Sequence, residues 1–236
     1  MTPQERLVAT AVDQVGYIGK KSNAQLDNFK GNPGGKFNKY ARDLDALKTF
    51  YNGPKQGFDW CDIFVDWCFV TAFGRDLAQK LTFQPDRSAG AGTGYSLGYY
   101  RAKGHFFTSP QVGDQIFFGD AKSTWHTGIV TRVSGGTVTT VEGNAGTPLG
   151  VHEFRYPAGS SIIKGYGRPD WTLVPNDKKE VNAKMTYKTL NDVPAWAKST
   201  VKKCVDKGAL QGDGSGLNLS EDLCRTLVVL DRLGKL

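Results

Sequence analysis

A cysteine at the start of an apolar helical run is the feature of this sequence best suited to covalent chemistry. Cys61 follows a polar turn containing Gly and Pro, and an apolar run at 63–68 comes directly after it. A helix N-terminus directs unpaired backbone N–H groups and partial positive charge at the sulfur, which favours the thiolate. A free thiol has a pKa of about 8.5, and such a position can lower it below about 7.5. The sequence therefore predicts that Cys61 is a nucleophile with a lowered pKa.

A cysteine nucleophile also needs a base for its proton and a third group that orients the base. His126 begins a β-rich run, and Glu142 ends the next run after a glycine-containing hairpin turn. The hairpin brings the start of one strand beside the end of the other, which predicts a His126–Glu142 hydrogen bond. Asn144 is predicted either to orient the ring or to bind substrate. The remaining histidines, His105 and His152, have no such setting and are predicted to be structural or exposed.

The elements that must position these residues indicate an α+β fold. Helical periodicity covers approximately residues 5–18, 39–51 and 61–73. From residue 111 the pattern changes to β-rich runs punctuated by glycine. Helices first and an antiparallel sheet afterwards are typical of an α+β domain.

The composition changes again after residue 171. The stretch 172–185 is polar and charged, which predicts a linker between a first domain at 1–171 and a second at 186–236. The second segment resumes helical periodicity twice, so we expect a small helical domain. About fifty residues form too small a core to be very stable alone. The segment is therefore expected to dock, to self-associate or to gain stability on binding.

Composition and charge exclude several classes of protein. Thirty Lys and Arg against 23 Asp and Glu give a formal net charge of +7, which favours an anionic partner such as a cell-wall polymer. The positive charges are scattered, so nucleic acid is not expected as a partner. No run of about 18 apolar residues is present to span a membrane, and no signal peptide begins the sequence. We therefore expect a protein that stays in the cytoplasm until something else releases it.

The other three cysteines are predicted to be buried, inert thiols. Cys68, Cys204 and Cys224 each fall within an apolar helical pattern. Cys61 and Cys68 lie about 10 Å apart along one predicted helix, whereas a disulfide needs Cα atoms within about 7 Å. Their spacing does not match a structural zinc site either. Pairing between Cys204 and Cys224 stays open.

Five motifs in order resemble the CHAP family, the cysteine, histidine-dependent amidohydrolases/peptidases. They are DWCDIFVDWC at 59–68, VGDQIFF at 112–118, HTGIV at 126–130, VEGN at 141–144 and GYGRP at 165–169.

This resemblance covers about residues 5–171 and implies a papain-like α+β fold that cleaves amide bonds of peptidoglycan. By the same resemblance Cys61 is the nucleophile and His126 is the general base. Glu142 is then the orienting carboxylate, and Asn144 is an auxiliary polar group. Each residue also has a structural interpretation, and it is their order along the chain that favours catalysis.

Three further residues are predicted to contact the substrate. Trp60 and Trp125 flank the catalytic residues and are predicted to line the groove, with core packing as the open alternative. Gln56 is predicted to donate a side-chain hydrogen bond to the oxyanion. Some members of the family bind calcium through an acidic loop near the N-terminus. The corresponding stretch here has Asp27 alone among lysines, and calcium needs several oxygen ligands. No metal or other cofactor is therefore expected.

The C-terminal segment is similar to a surface-layer-homology (SLH) motif, in LNDVPAWA at 190–197, GALQGDG at 208–214 and LSEDLCR at 219–225. Such modules anchor proteins to cell-wall polysaccharide. The resemblance implies that Trp196 and Arg225 contact sugar or its acidic substituents, and the alternative is that Trp196 fills the small core. These modules often act in threes, so a single copy indicates a homo-oligomer formed through this segment.

Together these features predict a phage endolysin, a peptidoglycan hydrolase held in the host cytoplasm until it is released to the cell wall. It acts as an N-acetylmuramoyl-L-alanine amidase or as an endopeptidase, because the same nucleophile serves both reactions. A bacterial autolysin is the second interpretation. The competing class is a non-catalytic wall-binding protein on a degenerate papain-like scaffold.

Overall fold

The chain divides into two compact units. The computed structural model describes residues 1–174, 186–212 and 214–236. The first unit is Met1–Asn176 and the second is Asp177–Leu236. Each unit has its own hydrophobic core, so each is described by itself.

Most of the predicted linker, from residue 175 to residue 185, lies outside the described residues. Its first positions belong to a short 3-10 helix, Trp171–Leu173. Trp171 stacks on Phe69, with ring centroids 6.2 Å apart, so the first unit extends a few residues beyond the predicted boundary at 171.

Helices form the first half of the first unit. They are α1 (Pro3–Val12), α2 (Lys39–Asp45), α3 (Cys61–Phe73), α4 (Arg75–Thr82) and α5 (Thr93–Ala102). A capping box fixes the start of α1, because Thr2 Oγ1 accepts from the backbone N–H of Glu5 and the Glu5 side chain accepts from that of Thr2. The helix predicted at 61–73 is confirmed, whereas α1 and α2 end about six residues earlier than predicted.

An antiparallel sheet of six strands forms the second half. The strands are β1 (Phe106–Phe107), β2 (Gln115–Gly119), β3 (Thr124–Ser134), β4 (Thr137–Ala145), β5 (Gly150–Pro157) and β6 (Ile163–Gly167). Their order in the sheet is β1-β6-β2-β3-β4-β5. The predicted α+β class and the predicted hairpin between β3 and β4 are confirmed.

Helix α3 is the centre of the first unit. It packs against α1, α2 and α4 on one side and against β3 and β4 of the sheet on the other. Nine of its thirteen residues are buried, seven of them apolar and two of them the carboxylic acids Asp62 and Asp66. Burial of so many residues is expected of a helix packed in the centre of a domain. Trp60 occupies its N-cap position and makes no capping hydrogen bond through its side chain. The first turn of α3 therefore keeps backbone N–H groups that no side-chain cap satisfies.

Two helices and a short ladder form the second unit. The described elements are β7 (Thr186–Tyr187), α6 (Ala195–Asp206), β8 (Leu219–Ser220) and α7 (Glu221–Arg232). Both predicted helices are present, and Ser220 caps α7 by accepting from the N–H of Leu223. No helix among the described residues is long and apolar enough to cross a membrane.

All four cysteines are free thiols. Cys68 is fully buried in the core around α3. Cys204 and Cys224 are buried in the core of the second unit and are not bonded to each other. The prediction that these three thiols are buried is confirmed, and the pairing of Cys204 with Cys224 that the sequence left open is absent.

Candidate active site

One cavity of the first unit, with a volume of about 530 Å³, contains all four predicted catalytic residues. Cys61 comes from the start of α3, His126 from β3, and Glu142 and Asn144 from the end of β4. The other lining residues are Asp59, Phe118, Trp125, Ala145, Tyr156 and Ile162. Residues far apart in sequence thus meet where the N-terminus of α3 lies against the sheet.

The thiol of Cys61 is nearly enclosed, with 7% of the residue exposed. Burial raises the pKa of the Cys61 thiol to about 12, and the neighbouring Asp62 carboxylate acts in the same direction. The backbone N–H groups of Asp62 and Thr127 lower the pKa of the thiol and so oppose this shift, but desolvation is the larger effect. The predicted lowering of this pKa is therefore wrong, because the prediction considered the helix terminus without the burial. The resting thiol is neutral, and a base must remove its proton as it reacts.

The predicted hydrogen bond between His126 and Glu142 is present. His126 Nε2 lies 2.9 Å from Oε2 of Glu142. Because a carboxylate only accepts, Nε2 carries the proton and Nδ1 is left as the basic nitrogen. The imidazole also stacks on Phe118, with ring centroids 5.7 Å apart. Two independent contacts therefore hold the ring in one orientation.

Glu142 is itself held from two further directions. Thr140 Oγ1 donates to Oε1 at 2.5 Å, and Tyr156 Oη donates to Oε2 at 3.3 Å. The carboxylate is buried, with a relative exposure of 1%, so it accepts from three protein donors in place of water. Such a carboxylate is well suited to fix the tautomer of a histidine and to stabilise it when it becomes charged.

The side chain of Asn144 makes its hydrogen bond to Asp59 and not to the histidine ring. Its Nδ2 donates to Asp59 Oδ1 at 3.1 Å, and Lys36 Nζ lies 2.7 Å from the same carboxylate oxygen. A bulge between Glu142 and Ala145 interrupts the β4–β5 ladder, and Asn144 has a φ of 57°. A bulge re-aims side chains, and here the Asn144 side chain bonds to Asp59, which also lines the cavity. The recorded hydrogen bond to the His126 ring comes from Glu142.

Gly143, between these two residues, has no room for a side chain. A Cβ atom there would lie 2.5 Å from Cβ of Phe64 in α3. The close approach of β4 to α3 therefore depends on glycine at this position.

The three residues predicted to contact the substrate lie in different environments. Trp125 is 54% exposed and lines the cavity. Trp60 is 0% exposed and packs on Tyr17 and Tyr40, so the prediction that it lines the groove is wrong and the alternative of core packing is correct.

The prediction that Gln56 donates to the oxyanion is also wrong. Its Oε1 accepts from the N–H of Asn38 and its Nε2 donates to the Asn38 carbonyl, at 3.0 and 2.8 Å. Gln56 is not among the residues that line the cavity. Its amide is used to join the loop before α3 to the start of α2.

The other two histidines are structural, as predicted. His105 Nδ1 lies 3.0 Å from the carbonyl oxygen of Arg168, and His152 Nε2 lies 2.9 Å from that of Pro148. Neither histidine lines the cavity. Among the described residues, no group of three or more His, Cys, Asp or Glu side chains is arranged to hold a metal ion.

Several residues of the cavity were not identified from the sequence, above all Phe118 and Tyr156. Phe118 stands directly opposite His126 in the β2–β3 register, and Tyr156 lies in β5, the strand that pairs with β4. Cross-strand pairing within the predicted sheet is the signal that can find such neighbours.

Two buried carboxyl groups, those of Asp62 and Asp66, follow the nucleophile along α3. Asp62 is fully buried and accepts hydrogen bonds from Ser96 Oγ at 2.7 Å and from Gln115 Nε2 at 2.9 Å. Burial raises the pKa of Asp62 to about 6, which the two hydrogen bonds partly oppose. Burial also raises the pKa of Asp66, one helical turn further along α3, well above its usual range.

Asp62→Asn is expected to change how stability depends on pH. A carboxyl group with a raised pKa in the fold contributes stability below about pH 4, and that contribution is lost as the pH rises through about 6. The difference between the usual carboxyl pKa of 3.8 and the pKa of about 6 in the fold corresponds to about 3 kcal/mol. The free energy of unfolding of Asp62→Asn, relative to the natural protein, should therefore increase between pH 4 and pH 8. Denaturant unfolding at both pH values measures it, and a difference that does not vary with pH would contradict the assignment.

The two residues predicted to bind the cell wall lie together on the second unit. Trp196 in α6 is 45% exposed, so the alternative that it fills the core is wrong. The guanidinium carbon of Arg225 in α7 lies 5.3 Å from the centroid of the Trp196 ring. Arg225 also pairs with Glu221, with Nη2 and Oε1 2.6 Å apart. The structure thus presents a cation over an exposed aromatic ring at the surface.

Comparison with protein-family models matches residues 53–144 to the CHAP domain. The matched segment contains Cys61, His126 and Glu142 and ends at Asn144. It covers less than half of the chain, and the motif at 165–169 and the C-terminal segment lie outside it. The match supports hydrolase chemistry of the amidase or peptidase type on peptidoglycan. No match was found among curated proteins or among solved structures.

Proposed function

Because residues 53–144 contain a CHAP domain, we propose that this protein is a peptidoglycan hydrolase in which Cys61 attacks an amide carbonyl. The observation that carries the proposal is the His126–Glu142 hydrogen bond in the cavity that Cys61 also lines. Side chains suited to act as nucleophile, base and orienting carboxylate thus line one cavity, and the proposal includes a papain-like arrangement of helix and sheet.

The proposed reaction begins from a neutral thiol. Nδ1 of His126 removes the Cys61 proton as Sγ attacks the carbonyl carbon, which gives a tetrahedral intermediate and an imidazolium that Glu142 stabilises. The imidazolium then protonates the leaving amine as the C–N bond breaks and a thioester remains. Water, deprotonated by His126, attacks the thioester and releases the carboxylic acid and the thiol.

The oxyanion of each tetrahedral intermediate needs hydrogen-bond donors near Cys61. With Gln56 engaged elsewhere, we assign this role to backbone N–H groups at the start of α3, where no side chain caps the helix. Donors of this kind contribute about 3–4 kcal/mol each to transition-state stabilisation.

The walls of the cavity fit a substrate with apolar and polar sides. Phe118, Trp125 and Ile162 form an aromatic and aliphatic wall, whereas Asp59 and Asn144 provide polar groups. A peptide joined to a sugar presents both kinds of surface. We propose that Trp125, which is exposed, packs against the substrate next to the scissile bond.

The products of digestion test the proposed reaction. Purified peptidoglycan is incubated with the protein, and the fragments are identified by mass spectrometry. An amidase releases stem peptides with a free L-alanine amino group from N-acetylmuramic acid, whereas an endopeptidase releases a new amine within the stem or cross-bridge. Either result supports the proposal, and products cut only between sugars, or no products, would overturn it.

The biological role that we propose is that of a phage endolysin, which acts on the wall after release from the host cytoplasm. A bacterial autolysin requires the same site and is the alternative. The competing class, a non-catalytic wall-binding protein, is disfavoured by the His126–Glu142 pair in the cavity that Cys61 also lines. A scaffold that only binds has no need for a histidine held by a buried carboxylate that also accepts from Thr140 and Tyr156.

For the second unit we propose binding to an anionic cell-wall polysaccharide through Trp196 and Arg225. A sugar ring can pack on the exposed indole while the guanidinium pairs with an acidic substituent. Self-association through this unit is part of the proposal, and sedimentation equilibrium of the full chain measures it.

Trp196→Ala and Arg225→Ala are expected to weaken sedimentation of the full chain with purified cell walls by about tenfold or more, because each removes one half of the pair. Arg232→Ala is the matched control, since it removes the same charge from the same helix about 10 Å away along the axis. Equal sedimentation of all three variants would rule out this binding site.

A further inference from the structure

Three buried polar side chains connect the helix that carries Cys61 to the strand that carries His126. Gln115 in β2 donates from Nε2 to Oδ1 of Asp62 at 2.9 Å and to Oγ1 of Thr127 at 3.1 Å. Asp62 follows Cys61 in α3, and Thr127 follows His126 in β3. The bridge therefore ends one residue after the nucleophile on one side and one residue after the base on the other.

The hydrogen bonds of this bridge admit a single arrangement. The amide nitrogen of Gln115 has two hydrogens, and Asp62 and Thr127 accept one each. The Thr127 hydroxyl gives its own hydrogen to the carbonyl oxygen of Ile116 at 2.7 Å, so it can only accept from Gln115. All three side chains are buried, with relative exposures of 0 to 1%. A rotated amide would place its oxygen against the Asp62 carboxylate, which would be costly without water.

Much of the remaining contact between α3 and the sheet is apolar. Ile63 and Phe64 of α3 pack in one core with Ile129 and Val141 of the sheet. Apolar contacts are not directional, so they do not by themselves fix how far the helix slides along the strand. A hydrogen-bonded bridge that admits one arrangement does fix the position of the helix along the strand.

Thr127 also acts on the nucleophile. Its backbone N–H opposes the rise in the pKa of the Cys61 thiol, while its side chain joins the bridge. Successive side chains of a strand point to opposite faces. The Thr127 side chain therefore points to the face of β3 that joins α3 through the bridge, and the His126 side chain points to the other face and lines the cavity. Thr127 thereby couples the position of β3 to the position of the Cys61 thiol.

We propose that the Asp62–Gln115–Thr127 bridge is a positioning device that holds Cys61 and His126 at their working distance. It rests on the proposed function, in which His126 removes the Cys61 proton. The side chains of Gln115 and Thr127 do not line the cavity, so they act through the two residues that they align. A misplacement of about 1 Å at a reacting group can cost about a hundredfold in rate.

The test compares variants that break the bridge with a variant that does not. Gln115→Met keeps side-chain length and removes both donated hydrogen bonds, and Thr127→Val keeps shape and removes the hydroxyl. Ser96→Ala is the matched control, because it removes the other buried hydrogen bond to Asp62, in which β3 takes no part. Thr127→Ser, which keeps the hydroxyl, is the conservative variant.

For peptidoglycan hydrolysis, kcat is expected to fall about 10- to 100-fold in Gln115→Met and Thr127→Val. KM should stay within about twofold, because no cavity wall changes. Ser96→Ala and Thr127→Ser should keep kcat within about threefold of the natural protein. Melting temperatures of all four variants are recorded alongside, and variants of equal stability with unequal kcat separate alignment from folding.

A second measurement does not depend on the identity of the substrate. The rate at which iodoacetamide alkylates Cys61 at pH 7 reports how well His126 assists loss of the thiol proton. With His126→Ala as the reference for no assistance, Gln115→Met and Thr127→Val should approach that reference, and Ser96→Ala should not. If the proposed function is wrong but the bridge exists, no peptidoglycan products are released, while the alkylation rates of the variants still differ as expected. The bridge proposal is overturned if all four variants are alkylated at the same rate.

Discussion

Cys61→Ala is expected to abolish amide-bond cleavage in peptidoglycan, with kcat reduced by about 10⁴-fold or more. The physical reason is that the thiol is the attacking atom and nothing else in the cavity replaces it. Cys61 is the only one of the ten described cavity residues whose side chain is a thiol or an aliphatic hydroxyl. The loss should appear in kcat, as released amines per enzyme, while the fold and sedimentation with cell walls persist.

Cys68→Ala is the matched control for this change. Cys68 lies two turns further along the same helix, is fully buried and does not line the cavity. Its replacement should cost about 1 kcal/mol of stability by leaving a small void, with kcat unchanged. Release of new amines by Cys61→Ala, under conditions where Cys68→Ala is active, would show that the chemistry does not depend on cysteine.

Glu142→Gln has the second largest expected effect, a loss of about 10²- to 10⁴-fold in kcat. The closest physical parallel is the triad of serine proteases, in which an Asp→Asn change leaves the geometry intact but costs about 10⁴-fold. In this cavity the carboxylate accepts from His126, Thr140 and Tyr156. An amide nitrogen cannot accept, so at least one of these bonds is lost and the ring can adopt the wrong tautomer. The charge that stabilises the imidazolium is lost as well.

Glu153→Gln provides the comparison for that variant. Glu153 stands opposite Val141 in the β4–β5 register, is exposed, and pairs only with Arg155 in the same strand. An exposed ion pair of this kind contributes little, so kcat should be unchanged. Initial rates of wall digestion measure both variants, and a loss of less than tenfold in Glu142→Gln would remove Glu142 from the mechanism.

The large effect expected of Glu142→Gln depends on a Cys61 thiol that is neutral at rest. Burial holds the pKa of the Cys61 thiol high, at about 12, despite the helix N-terminus and two N–H donors. A stable thiolate–imidazolium pair is then not the resting state, and proton transfer to His126 must accompany attack. Orientation of the imidazole therefore matters more than in a site where the thiolate already exists.

Much of the arrangement followed from local patterns. The change at residue 111 from helical periodicity to β-rich runs predicts the sheet from β2 onward, and a glycine-containing turn predicts the β3–β4 hairpin. Helices α4 and α5 and the short strand β1 were not predicted. The hairpin alone predicts that His126 and Glu142 meet, because it relates two strands that are adjacent in sequence. Cys61 was identified by the helix that begins at it.

Other features depend on neighbours that no local pattern shows. Trp60 and Trp125 are the same residue type, each adjacent to a catalytic residue, yet one is buried between two tyrosines and the other lines the cavity. The amide of Gln56 is engaged by Asn38, eighteen residues earlier. The bridge through Gln115 joins three separate elements, and nothing in its sequence motif indicates that both amide hydrogens are used.

The sequence by itself determined the α+β class, the helix start at Cys61 and the meeting of His126 with Glu142, because periodicity and turns act over a few residues. Only the tertiary structure decided the protonation of the thiol, the place of each tryptophan and the bridge that aligns the helix with the strand. Desolvation and buried hydrogen bonds depend on which atoms surround a group from every side. Those atoms come from segments that are distant in the chain and are assembled only by folding.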